Sequence, residues 1–128
     1  MRVLIVEDEI LVALELEETL NDLGHTVVGI APDWRTFQAF AAEEIDVALV
    51  DLNLRDGETG MDIGRALANR RAAVIFVTAN PGLLRDGVAG TIGVLPKPAT
   101  RKAVADVVEY AGRRSPLLSP PGELQLFG

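Results

Sequence analysis

The chain has no cysteine, which excludes disulfides and thiolate metal sites and fits a reducing cytoplasm. Basic residues are in the minority, 12 against 19 acidic ones for a formal net charge of -7. Those present are scattered, in short pairs such as Arg70–Arg71 and Arg113–Arg114 and in no longer run. There is thus no cationic stripe to track phosphates, and a nucleic-acid-binding surface is not expected. Long apolar runs are missing too. The opening MRVLIVEDE is a brief apolar segment broken by acids, neither a secretory signal nor a membrane span. The single histidine, His25, stands in a turn and reads as a surface residue. These absences describe a soluble, intracellular protein that engages neither nucleic acid nor membrane.

What remains is enough for one domain. With 128 residues, 48% of them hydrophobic, the chain can bury a core of ordinary size. Strand-like and helix-like segments alternate about five times, the pattern of a parallel sheet with crossover helices. Strands are expected at Val3–Val6, Thr26–Ile30, Val47–Val50, Val74–Val77 and Ile92–Leu95. Between the first two, Ile10–Leu23 carries Ala13, Leu16, Leu20 and Leu23 at helical spacing. Pro32 and Asp33 open a second helix with Phe37, Phe40 and Ala41 on its apolar side, and Trp34 reads as a partly buried anchor at its start. Ile63, Ala66 and Leu67 mark a third helix, near whose end Arg70 and Arg71 are expected to be solvated. A last helix begins at about Thr100, a plausible N-cap, with Val104, Val107, Val108 and Ala111 on one side.

The crossover after the fourth strand is different. ANPGLLRDGVAGT holds Pro81, Gly82, Gly87 and Gly90, and a glycine costs roughly 1 kcal/mol against alanine inside a helix, so this helix should be short or irregular. Residues 1–112 are read as the domain and 113–128 as a proline-rich tail without helical period, whose Leu117, Leu118, Leu126 and Phe127 could pack somewhere and otherwise form a loose flap rather than a membrane anchor.

Polar residues end four of the apolar runs: Glu7 and Asp8, then Asp51, Thr78 and Lys97. In a parallel α/β sheet the carboxyl ends of the strands converge on one crevice, so these side chains should meet there. Mg²⁺ takes oxygen ligands in octahedral array, through one or two carboxylates together with water and phosphate. Asp8 and Asp51 suit that role, with Glu7 acting through water and a carbonyl of the Asp51 loop completing the protein share. Clustered carboxylates repel one another, and a cation relieves the repulsion. One of them can then attack a phosphoryl group to form an acyl phosphate; Asp51, at the end of the central strand, is the best placed. Lys97 supplies a compact positive charge and Thr78 a hydroxyl donor for the phosphoryl oxygens. The Lys97–Pro98 peptide, just past a strand end, is read as cis.

The runs VLIVEDE, LVDLNL, VIFVTAN and LPKP, in this order and near this spacing, closely resemble the receiver domain of two-component response regulators over roughly residues 1–112. The resemblance implies a doubly wound, five-stranded parallel sheet of order 2-1-3-4-5, flavodoxin-like and CheY-like. It implies Asp51 as phosphoacceptor, Asp8 and Glu7 as Mg²⁺ acids, and Asn53 as donor of a backbone carbonyl to the metal. Thr78 would be the switch hydroxyl, Ala79 the small neighbour admitting the phosphoryl group, Asn80 a modulator of hydrolysis and Lys97 the phosphate-binding lysine. The implied partners are a sensor histidine kinase and a downstream phosphotransfer or output protein. The DLNL and LPKP wording is similar to single-domain receivers that work with HWE and related kinases of alphaproteobacteria.

Three departures count against the standard aromatic switch. Val94 stands where receivers carry Tyr or Phe, Arg55 replaces a usual proline, and Thr78 to Lys97 is a shortened interval. The expected function is that of a single-domain response regulator, signalling by contact or serving as a phosphate sink, with no catalysis beyond its own phosphoryl uptake and loss. A degenerate receiver that binds a partner without phosphorylation is the alternative. An aspartyl-phosphate hydrolase is disfavoured, because that class needs an acid where Asn53 stands.

Overall fold

The computed structural model describes residues 1–113 and 119–127. Its elements run β1 (Arg2–Val6), α1 (Ile10–Asp22), β2 (Thr26–Ala31), α2 (Trp34–Gln38), β3 (Val47–Val50), α3 (Gly60–Asn69), β4 (Ala73–Thr78), a 3₁₀ turn (Pro81–Leu84), β5 (Gly93–Pro96), α4 (Arg101–Arg113) and β6 (Gln125–Leu126). The sheet order is β2-β1-β3-β4-β5-β6. The first five strands are parallel, in the expected 2-1-3-4-5 arrangement.

Alternation along each strand sorts the core into two layers, because successive side chains point to opposite faces. Val3, Ile5, Leu49, Ile75, Val77 and Leu95 pack with Leu16 and Leu20 of α1 and Val104, Val107 and Val108 of α4. Leu4, Val6, Val50, Val74, Phe76 and Val94 pack on the other side with Phe37 of α2 and Ile63 and Leu67 of α3. Both faces are covered, which is why these strands read as apolar runs without alternation. Chain direction across the sheet reverses between β1 and β3, and the crevice lies at that reversal.

Local chemistry sets the helix ends. The Asp33 carboxylate accepts from the Thr36 amide at 2.7 Å and the Thr100 hydroxyl from the Ala103 amide at 3.1 Å, so both act as N-caps. The second helix is shorter than its sequence suggests. After Gln38 the amides of Ala39, Phe40 and Ala41 bond three residues back, and the chain continues as tight turns. Trp34 lies 5.4 Å from the Phe37 ring at a 57° tilt, as an anchor should. Arg70 is more than a solvated end group: its guanidinium donates to the carbonyls of Phe40 (3.0 Å) and Glu43 (2.8 Å), tying down the turns that follow α2. His25 lies half-buried, with Nδ1 3.2 Å from the terminal amine.

The crossover from β4 to β5 is a single 3₁₀ turn, in keeping with its proline and glycines. In the described part of the tail the apolar residues pack on the domain and do not form a loose flap. Leu124 is buried, Gln125–Leu126 pairs antiparallel with β5, and Phe127 packs beside Phe76. Leu117 and Leu118 lie outside the described residues. Among the described residues no helix is long and apolar enough to cross a membrane.

Position 60 decides how α3 meets the crevice. The Gly60 amide donates to the Leu52 carbonyl at 3.1 Å, and a Cβ there would run into the Asp51 carbonyl and lie 2.6 Å from the Leu52 Cα. The loop carrying Asp51 therefore rests directly on α3. Gly60→Ala is expected to destabilise the fold by about 1–3 kcal/mol, as overpacking does. Urea unfolding would show a lowered midpoint at unchanged slope; an unchanged midpoint would mean that the loop yields freely.

Candidate functional site

Backbone hydrogen bonds carry the sheet ladder just past the strands and fix where the polar side chains begin. The Glu7 amide donates to Ala31 (3.1 Å), the Asp51 amide to Val6 (2.9 Å) and the Lys97 amide to the Thr78 carbonyl (2.8 Å). Strand-end residues that the sequence separates widely are thereby held at one edge. The Lys97–Pro98 peptide is cis, as read from its position.

The side chains converge on Lys97. Its Nζ donates to Glu7 Oε1 at 2.6 Å and to Asp51 Oδ2 at 3.0 Å, and lies 3.9 Å from Glu9 Oε1. The remaining carboxylate oxygens meet backbone donors. Glu7 Oε2 accepts from the amides of Asp8 (3.1 Å) and Glu9 (3.3 Å), and Asp51 Oδ1 accepts from Leu52 at 2.7 Å. Glu7 and Asp51 are buried and Asp8 is exposed, and one oxygen from each of the three lies within 4.8 Å of the others.

Burial, together with the charge of Asp51, pushes the Glu7 carboxyl up to about 7, although the Lys97 ammonium pulls the other way. Burial opposes the charge on Lys97, but its bonds to Glu7 and Asp51 outweigh it and hold the ammonium above its usual range. One ammonium thus pairs with the two buried acids, Glu7 and Asp51, beside the exposed Asp8. This is a hard, oxygen-only donor set short of positive charge, and it fits Mg²⁺.

Thr78 is buried at the end of β4, and its hydroxyl oxygen accepts from the Asn80 amide at 3.1 Å. Ala79 and Asn80 are exposed at the rim, and Asn53 is exposed on the loop two residues past Asp51. Ala79 and Lys97 also line a cavity of about 300 Å³ between α1 and α4. Val94 is not in the crevice: it is buried in the layer under α3. The residue that sequence reasoning missed is Glu9, and the third acid of the VEDE run was its only signal.

The chain belongs to the response regulator receiver domain family, whose model matches residues 3–109. The phyllosphere-induced regulator PhyR of Methylorubrum extorquens is 38% identical over 82 residues, 62% of this chain and 31% of that protein. The transcriptional regulatory protein PdtaR of Mycobacterium tuberculosis is 31% identical over 120 residues, 88% of this chain and 57% of that protein. Among solved structures, the receiver domain of the PhyR response regulator from Erythrobacter litoralis is similar with a TM-score of 0.80 at 29% identity, covering 94% of this chain and 95% of that one. The chain spans less than two thirds of the length of these curated relatives.

The raised Glu7 carboxyl makes metal-free stability depend on pH. Folding moves it from 4.5 to about 7, so between these values the folded chain binds more protons than the unfolded one, and stability falls as pH rises. Mg²⁺ should accordingly raise the melting temperature more at pH 8 than at pH 5. In Glu7→Gln this pH dependence should be weaker. Thermal melts in EDTA and in Mg²⁺ would check both; an equal Mg²⁺ effect at the two pH values would contradict the account.

Proposed function

We propose that this receiver takes a phosphoryl group from a phosphohistidine of a sensor kinase onto Asp51. The observation that carries the reading is the Lys97 ammonium 3.0 Å from Asp51 Oδ2, with two further acids at the same crevice. An oxygen of the Asp51 carboxylate forms the new bond to phosphorus as the phosphorus–nitrogen bond to the kinase histidine breaks, and the imidazole leaves with the electron pair of that bond and takes up a proton. Transfer of this kind asks a protein chiefly for position and charge. The Asp51–Leu52 turn holds the carboxylate by one oxygen through the Leu52 amide. Lys97, already turned toward Asp51, meets the incoming charge, and Thr78 supplies a hydroxyl donor from the neighbouring strand end. The alanine at position 79 keeps the rim low.

Glu7, Asp8, Asp51 and the Asn53 carbonyl would hold Mg²⁺, which when bound supplies the positive charge that lysine alone cannot. Asn80, exposed at the rim, modulates the access of water to the acyl phosphate. The proposed kinase is of the HWE or a related class, on the strength of the DLNL and LPKP segments. The phosphorylated chain signals by partner contact or acts as a phosphate sink, and turns over no other substrate.

Val94 and the lone 3₁₀ turn favour a second reading, a receiver that binds its partner without phosphorylation. The two separate on one residue. Incubation with a phosphorylated histidine kinase and Mg²⁺ should label the wild-type chain, whereas Asp51→Asn, or EDTA, should reduce labelling to background. Undiminished labelling of Asp51→Asn would overturn the assignment of the nucleophile, and no labelling of the wild type by any kinase would favour the second reading.

A further inference from the structure

A crossover of one 3₁₀ turn covers little of β5, and residues from beyond α4 fill the flank it leaves. Leu124 is buried in the layer under α1 and α4, while Phe127 packs on the opposite layer with its ring 6.4 Å from that of Phe76. Between them Leu126 pairs with Gly93 and Gln125 with Val94, and the Phe127 amide donates to the Ile92 carbonyl at 3.0 Å. The approach is close. A Cβ at position 93 would collide with the Gln125 carbonyl and stand 3.1 Å from the Leu126 Cα, so this seat depends on glycine.

The segment is held at one edge by a ladder of two residue pairs and two anchoring side chains, while Leu126 stays exposed. An element with so few bonds opens more readily than the central strands. The strand it rests on also ends in the functional crevice. Three residues beyond Val94, Lys97 is tied by its ammonium to Glu7 and Asp51 and by its amide to the Thr78 carbonyl. A phosphoryl group on Asp51 would stand between that carboxylate and the ammonium, so Lys97 would have to move outward to pair with it. β5 would then shift under a cover whose fit at Gly93 leaves no slack.

We propose that residues 124–127 are a cover on the edge of β5 that phosphorylation of Asp51 releases. The proposal rests on the phosphoacceptor reading of Asp51. Undocking exposes the outer edge of Gly93–Val94 and the side of Phe76 that Phe127 shields, and so changes the surface without an aromatic switch at position 94. The coupling is reciprocal: what loosens the cover must favour the phosphorylated form.

Amide exchange of the unmodified chain, read by mass spectrometry, tests this with Mg²⁺ and beryllofluoride as the phosphoryl mimic. Residues 124–127 should exchange about tenfold faster when the mimic is bound, within the usual range of such couplings. The same reagents should leave exchange in Asp51→Asn unchanged. Phe127→Ala should exchange fast without the mimic and bind it several-fold more tightly. A melting-temperature shift showing that beryllofluoride binds, with exchange of 124–127 unchanged or slowed, would overturn the release while leaving Asp51 as phosphoacceptor. No shift at all would overturn the phosphoacceptor reading, and the release with it.

Discussion

The rest of the crevice depends on the two hydrogen bonds that Lys97 makes across three strands. Glu7 and Asp51 are buried carboxylates just past the ends of β1 and β3, and such groups are tolerated only when a partner offsets their charge. The lysine arrives from β5, beyond the intervening β4, which makes the ammonium a brace across the carboxyl edge of the sheet. It is an incomplete one. Lys97 pairs with Glu7 and Asp51 while burial, with the charge of Asp51 added, still holds the Glu7 carboxyl above its usual range. A site fully neutralised by protein groups would have no use for a metal or a phosphoryl group. This one folds with its charge unbalanced, and the imbalance sits beside the proposed nucleophile.

The ladder explains why the brace can be so local. Glu7, Asp51 and Lys97 each continue the backbone pairing of their strand by one residue, so the side chains start from fixed points. On the other side, Gly60 lets α3 press directly on the Asp51–Leu52 carbonyls. Position is thus set by backbone, and charge by side chains.

The parts legible in the sequence were those with local causes. Apolar runs marked the five parallel strands because both faces of the sheet are covered, and the polar residues at their ends had to meet at the edge that such a sheet offers. Pro81 and the glycines that follow announced the weak crossover. What escaped had distant causes. β6 is two residues long beside Pro120 and Pro121, has no period of its own and exists because β5 has an open edge with glycine at position 93. The bonds of Arg70 to the turns after α2, and the approach of Glu9 to Lys97, likewise belong to tertiary geometry. Residue type alone announces neither.

Val94 offers little to a readout by side chain. It is buried in the α3 layer, in the same packed cluster as Phe76, Leu84 and Val88, and a β-branched side chain in a close-packed layer has essentially one rotamer open to it. No swing comparable to that of an aromatic ring is available at position 94. Leu95, the next residue, is locked into the opposite layer under α4. A change at Lys97 therefore passes along β5 as movement of backbone. Its parallel neighbour β4 runs through the middle of the sheet with both faces packed, whereas on the outer side stands the two-residue β6. Displacement goes where resistance is least, and in this sheet that is the edge.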